Sequence, residues 1–331
     1  MAGNTTEAAG EIRPPATRPR AHRAPIPFMR QLHTRWHEAK TLLCVGLDGE
    51  IERMPHCVRT GATGILSIED EREGSYIESA LVTFHLAIID ATADLVCAFK
   101  PNTAFYEAYG PAGWRALIRI ITYIHVRYPG VPVLLDAKRG DIGSTSQAYA
   151  RMAFDTCAAD AITLQPYLGR EAISPFLDRA DRGMFILCRT SNPGSGEFQG
   201  LRLTAPDPYG PAQSEPLYLT LARHVAGQWN TNGNCALVVG ATYPDELRCV
   251  RGIVGDMPIL VPGIGAQGGD LEATLHAGLD SQRAGLIISA SRSVLYASDG
   301  LDFANAARLE AQRLRDEIEH VRNTQPMGDA E

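Results

Sequence analysis

Between residues 131 and 150 the chain reads VPVLLDAKRGDIGSTSQAYA, an apolar run that ends in Asp136, Lys138, Arg139 and Asp141 before a helical pattern begins. Two carboxylates and two cations so close together support two readings. One is a solvated turn carrying surface ion pairs, each worth ~0–1 kcal/mol. The other is a site that holds charges of both signs together for proton transfer. Asp136 and Lys138 are two apart, so on an extended strand they face the same side, and Arg139 must point elsewhere, into packing or a neighbouring loop. Asp141 lies beyond Gly140, on the turn into the next helix. A lysine beside carboxylates has its charged form favoured, and the carboxylates stay ionised in return. That suits a lysine that donates a proton and does not suit a neutral lysine forming a Schiff base.

Further polar residues close other apolar runs. Asp48 ends TLLCVGLD (41–48), Lys100 ends DLVCAFK (94–100), and Thr190 and Ser191 follow GMFILCR. Each alone reads most simply as a loop charge or hydroxyl in water; their common position at strand ends is what makes them candidates. The stretch VPGIGAQGGD (261–270) formally matches GxGxxG. It follows the seventh strand of a series and not the first of a βαβ pair, so it is not a dinucleotide fingerprint. Its glycines still free backbone N–H groups to approach a phosphate near a helix start. Pro262 and Gln267 lie in it, and Ser291 and Arg292 of SASRS follow the next strand; the arginine supplies a fork of donors for phosphate oxygens. The bland alternative is a tight glycine turn beside a surface arginine.

These residues need a scaffold that gathers strand ends at one face. Apolar runs recur at 41–48, 94–100, 131–138, 160–167, 183–190, 235–242, 257–265 and 284–291, apolar on both faces as in parallel strands covered by helices. Between them Ile77, Leu81, Phe84 and Ile88, and then Leu117, Ile121 and Ile124, repeat at helical spacing; Leu314, Ile318 and Val321 mark a final charged helix. Such an alternation makes an α/β fold, a (β/α)8 TIM barrel, the leading architecture, ahead of an open doubly wound sheet. Two connections, 49–75 and the Gly/Pro-dense 191–216, are too long for simple loops and emerge where barrels build active sites; the second is a candidate lid.

Composition narrows the class. The 331 residues are 45% apolar and carry a formal net charge of −7, enough for a large core and no invitation to nucleic acid. Seven cysteines without a CxxC, four of them inside apolar runs, point to a reduced, cytoplasmic protein, and no cysteine or histidine spacing suggests a metal site. No apolar run is long enough to cross a bilayer. Residues 1–35 read as a disordered or poorly ordered extension, 36–323 as one barrel domain and 324–331 as a tail. The residues alone imply a barrel enzyme for a small phosphorylated substrate, with a Lys/Asp array at the reacting end and no cofactor.

At this point DAKRGDI (136–142) resembles the most characteristic motif of the orotidine 5′-phosphate decarboxylase family. VGLD, FKPN, RTSNPG, PGIGAQGGD and SRSVLYAS match it in order between Leu42 and Tyr296, and the chain looks most like the longer-chain bacterial branch. It departs in the 49–75 insertion and in LDGE, where a proline more often follows the aspartate. The segment before Leu42 is too short for the phosphoribosyltransferase domain fused to some relatives, so the decarboxylase alone is expected. The resemblance implies decarboxylation of orotidine 5′-phosphate to UMP without a cofactor. By position it implies an array of Lys100, Asp136, Lys138 and Asp141, with Lys138 the proton donor to C6 and Asp136 beside the substrate carboxylate. Lys100 would hold the array and the ribose, and Asp48 would bind a ribose hydroxyl. Ser191 would contact the pyrimidine, Gln267 and Arg292 would hold the phosphate with Gln267 bridging to the base side, and Thr190, Pro262 and Ser291 would also bind the substrate. Asp141, Ile142 and Thr145 would reach into the neighbouring subunit of a homodimer. Two alternatives stand beside it: a magnesium-dependent sugar-phosphate decarboxylase or aldolase of the same superfamily, and a silent barrel that binds a phosphate ligand.

Overall fold

A computed structural model describes residues 27–61, 70–205, 213–264 and 270–324 of the chain. Within them the apolar runs become parallel strands β1 (Leu43–Gly46), β2 (Ala98–Lys100), β3 (Leu134–Arg139), β4 (Ala161–Leu164), β5 (Gly183–Arg189), β6 (Cys235–Val239), β7 (Ile259–Pro262) and β8 (Leu286–Ala290). Hydrogen-bonded neighbours run β2–β1–β8–β7–β6–β5–β4–β3. The parallel bridges Phe99–Val133 and Asn102–Asp136 then join β2 to β3 and close the circle. The fold is a (β/α)8 barrel. β1, β4, β6 and β8 are buried along their whole length, because side chains alternate between the barrel interior and the surrounding helices.

The strands are shorter than the apolar runs that announce them. Asp48, Thr190 and Ser291 lie just past the last ladder bonds, where the chain turns over the C-terminal mouth. The helices Asp70–Thr92 and Gly110–Arg127 pack on each other outside β2. Leu81, Phe84, Ile88, Leu117, Ile121 and Ile124 are buried as their spacing predicts.

The opposite end of the barrel holds a difference from the sequence reading. A helix over Phe28–His37 crosses the boundary expected at residue 36, with Phe28, Leu32 and Trp36 buried at a spacing of four. Phe28 donates its backbone N–H to the Asp181 carbonyl at 3.0 Å, and its ring meets Phe185 edge-on at 5.6 Å. Gly183 permits this approach, since a Cβ there would collide with the Phe28 ring. Arg35 of the same helix donates to the Val96 carbonyl at 2.7 Å, tying it below β2. The ordered body therefore begins before residue 36; residues 1–26 of the expected extension, and 325–331 of the expected tail, lie outside the described residues. The final helix runs Phe303–Thr324, with Leu314, Ile318 and Val321 buried.

The two long connections carry structure of their own. After β1 come a 3-10 turn Ile51–Arg53 and a short helix His56–Gly61. The Gly/Pro-dense segment after β5 forms a turn, a short helix Gly196–Gln199, and an antiparallel hairpin pairing Arg202–Ala205 with Gln213–Pro216. No helix among the described residues is long and apolar enough to cross a membrane.

Truncating the Phe28 plug tests the earlier start of the domain. Phe28→Ala should lower the free energy of unfolding by about 3–5 kcal/mol in urea denaturation, the usual cost of emptying a buried aromatic site. An unchanged midpoint would mean that the helix Phe28–His37 is not part of the folded core.

Candidate active site

Three adjacent strand ends meet at one side of the mouth. Lys100, the last residue of β2, is 5% exposed and sends its Nζ between two carboxylates, 3.1 Å from Asp136 Oδ2 and 3.9 Å from Asp48 Oδ2. Lys138 Nζ donates to the other oxygen of Asp136 at 2.7 Å. The result is an unbroken line Asp48–Lys100–Asp136–Lys138. Pairing β1 with β2 and bridging Asn102 to Asp136 brings these residues together, although the chain separates them widely.

Each carboxylate is also held by neutral donors. Asp48 Oδ1 accepts the Asn102 backbone N–H at 3.0 Å, and its Oδ2 accepts the Ser291 hydroxyl at 2.8 Å. Asp136 Oδ1 accepts the Thr163 hydroxyl at 2.9 Å. The same Thr163 oxygen accepts the N–H groups of Ala137 (3.0 Å) and Lys138 (2.9 Å), which uses the full capacity of a hydroxyl. Burial pushes the Asp136 carboxyl up, but Lys100 and Lys138, with hydrogen bonds from Lys138 and Thr163, outweigh it and leave it well below the usual carboxylate range. Lys100 shows the mirror balance: burial lowers its pKa, and Asp48 and Asp136 raise it above the ordinary lysine value.

The route by which Lys138 meets Asp136 differs from the sequence expectation. β3 does not stay extended: its register against β4 shifts between Leu135 and Arg139, and Lys138 has φ +47°. Strand alternation does not bring the pair together; a bulge turns Lys138 back over Asp136, at a backbone cost of about 1–2 kcal/mol for a residue with a Cβ. Arg139 does point elsewhere, pairing with Glu107 and lying 5.2 Å from the Tyr149 ring centroid. The Lys138 side chain is 49% exposed, so the array runs from a buried end to an open one.

A cavity of about 200 Å³ adjoins the buried end of the array, lined by Asp48, Lys100, Pro262, Ser291 and Arg292. Arg292 opens the short helix after β8 and is exposed, with no ion pair to it among the described residues. Thr190 Oγ1 donates to Asn192 Oδ1 at 2.6 Å, and Ser191 lies beside it just past β5. Gln267 falls outside the described residues. Asp141, Ile142 and Thr145 stay apart from the array of their own chain: Asp141 accepts the Ile142 N–H at 2.7 Å and forms no ion pair among the described residues, while Ile142 is 61% exposed. Asp141 thus does not join the four-residue line in this chain.

Sequence reasoning missed three supporting residues. Thr163 and Asn102 are single polar residues inside or just after apolar runs, a weak signal. His85 gave none, because it sits on the buried face of the helix Asp70–Thr92. Its Nδ1 donates to the Leu81 carbonyl at 2.8 Å and its Nε2 accepts the Gly49 N–H at 3.2 Å, the neutral tautomer that both bonds require. Tyr106 Oη donates to the Leu47 carbonyl at 2.8 Å, and Tyr296 Oη accepts the Glu50 N–H at 2.9 Å. The backbone around Asp48 is therefore held on three sides by aromatic residues.

Comparison with known proteins agrees with this architecture. Residues 41–307 match the model of the orotidine 5′-phosphate decarboxylase / HUMPS family. The chain is 52% identical to an orotidine 5′-phosphate decarboxylase of Roseiflexus castenholzii over 88% of its length and 97% of the relative's. It is 47% identical to one from Ralstonia pickettii over 89% of its length and 99% of the relative's. Among solved structures, OMP decarboxylase of Leishmania donovani superposes with a TM-score of 0.73 at 37% identity, covering 90% of this chain and 100% of that one. UMP synthase of the same organism gives 0.74 at 38% identity, covering 91% of this chain but 57% of the longer one.

The His85 brace has a pH signature. Burial lowers its pKa to about 4, against the Leu81 hydrogen bond that raises it. With an unfolded value of about 6.5, its stabilising contribution is whole above that pH and is lost as the pH falls through the folded value. The stability difference between the natural protein and His85→Gln should therefore shrink as urea titrations move from pH 7 down to pH 4. A difference that stays constant across that window would contradict a neutral, buried His85.

Proposed function

The chain belongs to the orotidine 5′-phosphate decarboxylase / HUMPS family and is a decarboxylase, and from that premise we propose that it converts orotidine 5′-phosphate to UMP, a step of pyrimidine nucleotide synthesis, without a cofactor. The observation that carries the proposal is the array Asp48–Lys100–Asp136–Lys138, alternating in charge, whose Asp48–Lys100 end lines a cavity that Arg292 also lines.

In this reading Arg292 and Gln267 grip the phosphate, with Pro262 and Ser291 lining that end. Asp48 and Lys100 take the ribose hydroxyls, and Thr190 and Ser191 bound the pyrimidine. The base then lies over Asp136 and Lys138. The C6–carboxylate bond breaks, carbon dioxide leaves, and the electron pair stays on a vinylic carbon that no ring system delocalises. Stabilisation must come from a charge already in place, and the Lys138 ammonium supplies it and passes a proton to C6. Lys138 is left as an amine and is reprotonated from water. Asp136 fixes the ammonium at 2.7 Å and carries a negative charge on the side where the substrate carboxylate is lost.

Asp141, Ile142 and Thr145 act on a neighbouring copy in a homodimer. An exposed Ile142, a half-exposed Lys138 and an Asp141 without an ion pair among the described residues support this. The magnesium-dependent sugar-phosphate reading is less favoured, because the Lys100 ammonium stands between Asp48 and Asp136, the two carboxylates a divalent ion would need.

Two experiments test the proposal. Adding the protein to orotidine 5′-phosphate should abolish the substrate's ultraviolet band at the same rate with and without a chelator. A folded protein that leaves the band untouched would sink the decarboxylase reading, and chelator sensitivity would favour the metal-dependent one. Separately, Lys138→Ala and Asp141→Ala proteins should each lose at least about 10³-fold in kcat/KM, as expected for groups acting in the transition state. Mixing them under subunit exchange should restore one intact site per heterodimer, and mixing that restores nothing would remove Asp141 from the neighbour's site.

A further inference from the structure

Arg189, the last residue of β5, is 6% exposed yet faces no core function. Its Nε donates to Glu246 Oε2 at 2.6 Å, and a second nitrogen approaches Glu246 Oε1 at 3.5 Å. The remaining nitrogen donates to the Ser195 hydroxyl and to Gln199 Oε1 at 3.4 Å. The guanidinium also stacks 4.1 Å from the Tyr243 ring centroid. One side chain thus joins the segment after β5 to the start of the helix Pro244–Val254 after β6.

The segment it holds is closed on itself by polar bonds. Gln199 Oε1 accepts the Thr190 N–H at 2.8 Å, and Gln199 Nε2 donates to Thr190 Oγ1 at 2.9 Å. Its large apolar residues do not anchor it, for Phe198 is 61% and Leu201 53% exposed. Ser191 lies inside this ring and against the exit of β6. A Cβ on Gly240 would stand 2.6 Å from Ser191 Cβ and 2.8 Å from its backbone nitrogen. Ser191 therefore has one seat at the mouth, and the polar ties of Arg189 hold the ring that carries it.

We propose that Arg189 is a positioning residue for the reaction: it latches the ring Thr190–Gln199 onto Tyr243 and Glu246 and so holds Ser191 at the barrel mouth. The inference rests on the preceding reading, in which Ser191 bounds the pyrimidine. Arginine is required because a planar fork reaches Glu246, Ser195 and Gln199 at once while stacking on Tyr243, which a lysine point charge cannot do. A loosened ring does not alter the Lys/Asp array, so the loss falls on substrate binding before it falls on chemistry.

The test compares the natural protein with Arg189→Lys, Arg189→Met and Glu246→Gln, following orotidine 5′-phosphate turnover, amide hydrogen exchange and thermal unfolding. Arg189→Lys should raise KM about tenfold with a smaller change in kcat, the pattern of lost ground-state positioning. Exchange should quicken within residues 190–199 while the barrel strands keep their protection. Glu246→Gln should move both readouts the same way by less, and it keeps the question open to test if Arg189→Met fails to fold. Turnover by the natural protein with KM unchanged in Arg189→Lys and Glu246→Gln overturns the latch, as does a fall in melting temperature alone. If the natural protein leaves the substrate untouched, the reading of the reaction falls together with the latch, so the two failures are distinguishable.

Discussion

The structure turns on the burial of the Lys100 ammonium between two carboxylates. An isolated charge taken from water into a protein interior costs several kcal/mol even after relaxation, and the cost is offset only if partners of opposite sign and further hydrogen bonds stand ready. Lys100 meets that condition because Asp48 and Asp136 flank it, and because those carboxylates take further hydrogen bonds: Asp48 from Ser291 and the Asn102 N–H, Asp136 from Thr163. Those groups come from five neighbouring strands or from the residues just beyond them. Closure of the sheet between β2 and β3 brings Lys100 against Asp136, while the β1–β2, β1–β8 and β3–β4 ladders bring in Asp48, Ser291 and Thr163.

The array is graded from closed to open. At the Lys100 end every charge is compensated and the ions are locked; at the Lys138 end one ammonium is held by a single carboxylate and half exposed. A group prepared to act on a substrate needs that asymmetry. It must be oriented by something buried and still face the space where the reacting atom arrives. The bulge at the end of β3 provides it: Lys138 leaves the strand conformation there, half exposed, with its Nζ 2.7 Å from Asp136. Local backbone strain at such a place is characteristic of functional positions.

Around the array the mouth is built from polar and aromatic braces instead of regular ladders. His85, Tyr106 and Tyr296 hold the backbone after β1, Arg139 ties the end of β3 to Glu107, and Arg189 ties the segment after β5 to the helix after β6. Barrel strands end at the mouth, so beyond them the backbone N–H and carbonyl groups lose their ladder partners and need substitutes. Side chains from neighbouring helices and loops fill that need and fix the loops while doing so. The opposite end of the barrel meets the same requirement with a helix and its aromatic plug, Phe28 against Phe185.

The sequence by itself determined the barrel, because eight apolar runs alternating with helical stripes have few other ways to bury both faces. It also determined the chemical types at the strand ends, which is why Asp48, Lys100, Asp136, Lys138 and Arg292 could be named from one chain. The helix Phe28–His37 escaped it because its three buried apolar residues, Phe28, Leu32 and Trp36, stand among histidines and arginines and make too short a period. Thr163, Asn102 and His85 escaped it because a polar residue in an apolar run shows no partner until the chain folds. Tertiary structure alone decided which charges touch, that Lys138 reaches Asp136 through a left-handed bulge, and that Asp141 stands outside its own array. Strand alternation predicts the face on which a residue lies, but a contact between charges depends on register, bulges and closure of the sheet. Those are set by packing between elements far apart in the sequence, and no local pattern encodes them.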